Sequence, residues 1–87
     1  MDNDARLEWV AGQIAARLRA ERARLDLTQK AAGGRAGVSW ITIHRAEGGA
    51  LPTLETLYKL AWAYGVDVLA LLPSDPPPPE PKKRKGK

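Results

Sequence analysis

The chain contains no cysteine and only one histidine among its 87 residues. The lack of cysteine excludes disulfide bonds, thiolate nucleophiles and cysteine-based zinc sites, and a lone histidine does not make a metal site. No apolar run approaches the roughly 18 residues that a membrane-spanning helix needs, and the acidic start MDNDARLEW is unlike a secretory signal. These absences predict a soluble cytoplasmic protein that holds no metal ion or cofactor and contacts no membrane.

Residue sets typical of catalysis are also lacking. The sequence shows no nucleophile and base at a recognisable spacing and no pair of carboxylates in a predicted cleft. The glycines of AAGGRAG fall within a predicted helix and lack the Lys-Ser or Lys-Thr pair that follows in phosphate-binding loops. We therefore expect that the chain is not an enzyme.

Positive charge is concentrated at one end of the chain. From Pro73 onward five basic residues stand against two acidic ones, which accounts for +3 of the total net charge of +4. This segment is rich in proline and then in lysine, and it has no apolar side chain to bury. The composition predicts one folded domain at residues 1–72 and a disordered tail at residues 73–87, whose basic end either attracts a polyanion or only keeps the chain soluble.

Apolar spacing and capping residues predict an all-α domain of five helices. The first is expected over about residues 3–25, with an apolar stripe formed by Leu7, Val10, Ile14 and Leu18. Helices over residues 29–36, 40–47, 54–64 and 68–72 follow. Each of these is preceded by a residue that commonly caps a helix N-terminus, and these caps are Thr28, Ser39, Thr53 and Asp67.

The most informative segment is residues 27–49, LTQKAAGGRAGVSWITIHRAEGG. Two short predicted helices are joined there by a tight turn at Gly37, and Ser39 begins the second of them. Two helices with this connection form the helix-turn-helix signature. Proteins use that motif to lay the second helix in a groove of DNA.

The chain resembles the Cro/C1-type helix-turn-helix family of prokaryotic and phage regulators over about residues 14–72. The matching residues are Arg22, Leu27-Thr28-Gln29, Gly37-Val38-Ser39, Thr42-Ile43, Arg45, Glu47, Gly49, Pro52, Leu54, Leu57, Leu60-Ala61, Gly65-Val66 and Leu71-Leu72. The resemblance implies a five-helix, lambda-repressor-like domain that binds double-stranded DNA, in most members as a homodimer or on paired half-sites. It thereby implies a repressor of transcription in the cytoplasm of a bacterium or phage host, associated with the nucleoid.

The third predicted helix has distinct inner and outer faces. A step of about 100° per residue places Ile43, Ala46 and Glu47 on the inner side, and Ile41 and Arg45 on the outer side. In the family, outward and flanking side chains of this helix contact base edges. The residue that begins the second helix contacts a DNA phosphate. The residues that the resemblance assigns to DNA are Gln29, Ser39, Trp40, Ile41, Thr42, His44 and Arg45.

Within that set, Arg45 is the predicted hydrogen-bonding reader, because its planar fork fits O6 and N7 of guanine. Gln29 is predicted to contact a phosphate. The family positions of Arg22 and Glu47 imply a buried ion pair between the first and third helices. We interpret this pair as structural, since it would fix the pose of the third helix.

Several residues depart from the family pattern. Ala32, Gly33 and Ala46 replace larger residues, which predicts a thin or loosely packed core, and replacing Gly34 by alanine is expected to raise the melting temperature. Trp40 and Ile41 are apolar where base-reading residues are usually polar. Both could pack on thymine methyl groups, for which Ile41 is better placed, and Trp40 could instead fill space left by the alanines. A third alternative is that this face binds protein.

A different class of function therefore stays open. The same scaffold could serve as a protein-interaction module or an antitoxin with weak or no base readout. Trp9, Tyr58 and Trp62 are predicted to point away from their core stripes, and Tyr58 and Trp62 are neighbours on one helix face. They could form a surface for a protein partner or for self-association, or their rings could fold over the tail or the first helix.

Overall fold

The computed structural model describes residues 2–74, so most of the predicted tail, together with Met1, lies outside the described residues. Four α-helices and one short 3-10 helix follow one another, and no strand occurs in the described part. The α-helices are α1 (Asn3–Arg24), α2 (Gln29–Ala36), α3 (Trp40–Glu47) and α4 (Leu54–Tyr64), and the 3-10 helix is Val68–Leu71. The predicted all-α class and the bounds of α2, α3 and α4 are confirmed.

The capping residues act as the sequence predicted. The side-chain oxygens of Thr28, Ser39 and Thr53 each accept a hydrogen bond from a backbone N–H in the first turn of the helix that follows. These bonds satisfy donors that have no partner within a helix. Local chemistry therefore determines where each of the short helices begins.

The first helix ends in a left-handed turn that contains no glycine. Asp26 has a φ of 57°, its N–H donates to the carbonyl of Ala23, and the N–H of Leu27 donates to that of Arg22. This bonding pattern ends many helices. Aspartate is one of the few residues besides glycine that adopt such a backbone without a large penalty.

The core forms where the four α-helices and the 3-10 helix meet, and Ala32 is its member from α2. Its fully buried members include Ile14 and Leu18 of α1, Ile43 of α3 and Leu60 of α4. The predicted stripe on α1 is only partly correct, because Leu7 is 51% exposed. Leu7 instead lines a shallow hollow on the surface with Leu51 and Gly49, one turn beyond the part of α1 that the core covers.

The predicted fifth helix is wrong as an α-helix. Residues Val68–Leu71 form a single 3-10 turn in which the N–H of Ala70 donates to the carbonyl of Asp67. Pro73 explains the difference, since a residue before proline is restricted to extended backbone and Leu72 is extended, at φ −109° and ψ 143°. Too few residues remain between the Asp67 cap and this stop for an α-helix.

Candidate nucleic-acid interface

The connection between α2 and α3 is tight because the chain approaches itself at Gly33. The carbonyl of Gly33 accepts hydrogen bonds from the N–H groups of Gly37 and Val38. Gly37 has a φ of 75°, in the left-handed region that glycine adopts freely. A Cβ on Gly33 would lie only 2.7 Å from the carbonyl oxygen of Val38. The absence of a side chain at Gly33 therefore allows α2 to pack closely against the turn that begins α3.

An ion pair joins α1 to the end of α3, as predicted. Nε of Arg22 donates to Oε2 of Glu47 at 2.7 Å, and Nη2 donates to Oε1 at 2.9 Å. Glu47 is buried, whereas Arg22 keeps part of its surface exposed. Hydrogen bonding to this carboxylate raises the pKa of the Arg22 guanidinium above its ordinary value, which outweighs the opposing effect of burial. The charged form of arginine is therefore favoured at this site.

Gln29 also belongs to this network. Its amide nitrogen donates to Oε1 of Glu47 at 3.2 Å, while the third nitrogen of Arg22 donates to the carbonyl of Leu27 at 2.7 Å. The carboxylate thus connects α1, the start of α2 and the end of α3. The sequence assigned Gln29 to a phosphate only, and its contact with Glu47 was not predicted.

A further set of arginines on α1 was missed as well. The guanidinium of Arg19 donates to the backbone carbonyl of Glu47, that of Arg17 to Leu72 and that of Arg24 to Tyr64. Cations suit the C-terminal ends of helices, where carbonyls have no partner within the helix. Arg19 and Arg22 lie three residues apart on one face of α1, and this spacing was the available signal. Together they hold the last residue of α3 by its backbone and its side chain.

Tyr64 lies beside this network and is almost fully buried. Its hydroxyl has no hydrogen-bond partner among the described residues. Burial, followed by the nearby negative charge of Glu47, raises the pKa of Tyr64 from 10.0 to about 12. The folded protein therefore keeps the phenol neutral at pH values where the unfolded chain ionises it.

We expect the Tyr64→Phe variant to be as stable as the original chain at pH 7, or more stable by up to about 1 kcal/mol, since it removes an unsatisfied buried hydroxyl. Because the folded-state pKa is raised, the original chain should lose stability relative to the variant as the pH rises from 10 to 12. Urea titrations of both chains across this range would show the divergence. Parallel pH curves would contradict the buried, neutral phenol.

The outer face of α3 is open to solvent. Trp40 and Ile41 are each 43% exposed, and His44 and Arg45 are also exposed. The guanidinium of Arg45 makes no hydrogen bond or ion pair with any of residues 2–74. Ile43, Ala46 and Glu47 are buried on the opposite face, so the predicted orientation of the helix is confirmed.

Trp40 does not fill the space beside the small core residues. Its ring stands edge-on to that of His44, with centroids 6.1 Å apart, outside the core cluster. Nearby, the hydroxyls of Ser39 and Thr42 are 2.9 Å apart, and Ser39 also caps the helix. Ser39, Trp40 and Thr42 lie at the start of α3, and His44 lies with Arg45 in its last turn.

The exposed charges of this region have one sign. Within residues 27–52 the basic residues are Lys30, Arg35 and Arg45, and the single acidic residue is Glu47. Since Glu47 is buried against Arg22, it contributes little negative potential outside. The net charge of residues 1–72 is close to zero, but the surface around α2 and α3 is locally positive. Such a surface attracts phosphates.

No group of three or more histidine, aspartate or glutamate side chains is placed to hold a metal ion among residues 2–74. In the same part of the chain, no helix combines the length and the apolar character needed to cross a membrane.

A family model described as a helix-turn-helix domain matches residues 13–72. The chain belongs to this family. The match spans all of α2, α3, α4 and the 3-10 helix together with the part of α1 that bears the four arginines. No curated protein matches the chain.

Solved structures show the same fold. An HTH_3 family transcriptional regulator from Vibrio cholerae is 29% identical, with a TM-score of 0.72 over 75% of this chain and 37% of its own. HppE in its Fe(II) form is 24% identical, with a TM-score of 0.67 over 74% of this chain and 35% of its own. At that identity, HppE shares only the fold. The chain spans little more than a third of the length of these relatives.

Proposed function

We propose that this protein is a sequence-specific DNA-binding regulator of transcription, acting as a repressor in the cytoplasm with α3 in the major groove. The observation that carries the proposal is the exposed guanidinium of Arg45 on a helix whose opposite face is anchored to α1. An α-helix fits the width of the major groove. The similarity to a transcriptional regulator over 75% of this chain supports this assignment.

Two residues of the outer face have the chemistry for direct readout. The fork of Arg45 can donate two parallel hydrogen bonds to a guanine, and Ile41 can pack on a thymine methyl group. Trp40 and His44 extend this surface along the helix, and Ser39 and Thr42 supply hydroxyls at its beginning. We propose that α3 thereby selects a short sequence through both polar and apolar contacts.

Gln29 can contact a phosphate without leaving Glu47. An amide NH2 group has two donors, of which one is directed to the carboxylate of Glu47. The other can meet a phosphate oxygen together with the backbone N–H groups at the start of α2, where the helix dipole favours an anion. In that arrangement the phosphate contact is coupled to the network that positions α3.

A homodimer on paired half-sites remains part of this proposal. One eight-residue helix and its flanks offer little surface compared with the ~1,000–2,500 Å² of protein surface that specific complexes with DNA bury. Two copies on half-sites one helical turn apart would supply the missing area.

The test begins with selection of duplexes from a pool with a 20-base-pair random core, by binding to the full chain. The selected duplex and a scrambled duplex are then titrated at several salt concentrations. We expect Arg45→Ala to weaken binding to the selected duplex by roughly 5- to 150-fold, the equivalent of about 1–3 kcal/mol. Binding to the scrambled duplex should change much less.

Arg45→Lys is the matched control, because it keeps the charge and removes the planar fork. If Arg45 reads a base, the lysine variant should retain the salt dependence of binding and lose most of the discrimination. Circular dichroism should show that both variants remain folded, since the side chain is exposed. Selection that yields no preferred sequence, with equal salt-dependent binding to every duplex, would refute the proposal.

A protein-interaction module or antitoxin is the second candidate function. It is favoured by the exposed, apolar Trp40 and Ile41 at the beginning of α3, because aromatic residues are enriched at protein interfaces. A selection that yields no preferred DNA sequence would favour this alternative, in which α3 contacts a protein.

A further inference from the structure

A second exposed apolar surface lies on α4 and the 3-10 helix, and nothing in the proposed DNA contact uses it. We call it the α4 patch, and it consists of Leu54, Tyr58, Trp62 and Leu69. Trp62 is 72% exposed and Leu69 is 70% exposed. The rings of Tyr58 and Trp62 lie 5.8 Å apart at an angle of 52°. Such a contiguous apolar surface is typical of a binding site.

The α4 patch is continuous along its length. One shallow hollow of about 430 Å³ is lined by Leu54, Tyr58 and Trp62. A second of about 470 Å³ extends from the same two aromatic residues to Leu69. The two hollows share the aromatic pair and together form a groove that is apolar along α4 and is lined also by Asp67 near the 3-10 helix.

The chain beyond the described residues has the composition to fill this groove. Residues 75–87 read DPPPPEPKKRKGK, and this segment starts only six residues after Leu69. Proline runs in general favour the extended polyproline II conformation, so little conformational entropy is lost when such a segment binds. Aromatic-lined grooves are the usual docking sites for such segments.

We propose that residues 76–81 dock in the α4 patch of their own chain. The prolines of the segment and the side chains of the α4 patch would meet in the same order along their lengths. Leu69 and Trp62, nearest the start of the segment, would receive the first prolines, and Tyr58 and Leu54 the later ones. The basic residues 82–85 would then reach the exposed carboxylate of Glu55 at the beginning of α4, where they would compete with its partner Lys59.

The segment is long enough for this path. Six residues of polyproline II span about 19 Å at about 3.1 Å each. Along α4, Trp62 and Glu55 are separated by seven residues, about 10 Å at roughly 1.5 Å each. The difference of about 9 Å is left for the step from Leu69 to Trp62.

The size of the α4 patch favours the chain's own segment over a second copy. Stable protein interfaces bury about 1,600 Å² in total, which four side chains cannot provide. A tethered segment needs much less contact, because its effective concentration is in the millimolar range. A small aromatic groove close to the start of a proline run is therefore better matched to that segment of the same chain than to a second copy.

The test uses the full chain and a variant in which Pro76, Pro77, Pro78 and Pro79 are each replaced by serine. This variant keeps the length and the charge of the segment. In two-dimensional NMR spectra, a soluble paramagnetic probe broadens the indole N–H of exposed tryptophans. We expect about twofold stronger broadening of Trp62 in the serine variant, because a docked proline helix covers one side of the ring. The indoles of Trp9 and Trp40 serve as internal controls.

The reciprocal variant is Trp62→Ala, which removes a mostly exposed side chain and should leave the fold intact. The amide resonances of Glu80 and Lys82 should shift when the ring is removed. These differences should persist on 100-fold dilution. Equal broadening of Trp62 in both chains, tail resonances unmoved by Trp62→Ala, or an effect that disappears on dilution would each overturn docking within one chain.

Discussion

Arg22→Met is expected to destabilise the domain by about 3–5 kcal/mol, the typical result of removing one partner from a buried ion pair. The variant leaves the Glu47 carboxylate buried, with Gln29 as its only side-chain donor among residues 2–74. It also removes the hydrogen bond from Arg22 to the carbonyl of Leu27. A domain of this size has a total stability of only about 4–11 kcal/mol, so much of the folded population would be lost.

Urea denaturation followed by circular dichroism would measure this loss. In the double variant Arg22→Met/Glu47→Gln, stability should recover in part, because a neutral amide is less costly to bury than a carboxylate. Glu55→Gln is the matched control at an exposed pair with Lys59 and should change stability little. An Arg22→Met variant as stable as Glu55→Gln would refute the structural assignment of the pair.

Gly33→Ala and Gly34→Ala are expected to change stability in opposite directions, although the two glycines are adjacent in one helix. A Cβ on Gly33 would lie 2.7 Å from the carbonyl oxygen of Val38 and 3.3 Å from the backbone nitrogen of Trp40. Both atoms belong to the backbone, so α2 must move away from the turn that begins α3. Overpacking of this kind costs about 1–3 kcal/mol.

A Cβ on Gly34 would meet no atom within 4 Å. Alanine should therefore stabilise α2 by about 0.5–1 kcal/mol through the lower entropy of the unfolded chain. With roughly 4–8 °C for each kcal/mol in a domain of this size, the melting temperature should rise by a few degrees. Thermal denaturation of both variants would test the pair. A shift of the same sign in both would show that α2 does not approach the turn as described.

Local chemistry allowed much of the fold to be predicted. Thr28, Ser39 and Thr53 mark helix starts because a side-chain oxygen satisfies the nearest backbone donors, and this interaction needs no distant partner. The faces of α3 followed from helical periodicity, which placed Ile43 inside and Arg45 outside. Periodicity cannot say how far a neighbouring helix extends, and for that reason Leu7 was wrongly assigned to the core.

The candidate site was only partly predictable. The ion pair between Arg22 and Glu47 followed from the family resemblance, but the contact of Gln29 with the same carboxylate did not. The long side chains of Arg17, Arg19 and Arg24 reach carbonyls at least 28 residues away in the chain. Such contacts depend on the arrangement of helices that the sequence does not display.

By itself, the sequence determined the helix starts, the helix-turn-helix segment and the outer face of α3, since these depend on neighbours within one turn of helix. The tertiary structure alone decided that Gly33 must lack a side chain while Gly34 need not. It also decided that the arginines of α1 hold the ends of the other helices. The physical reason is common to these cases: close approach and burial are properties of two segments together, and neither segment encodes the distance to the other.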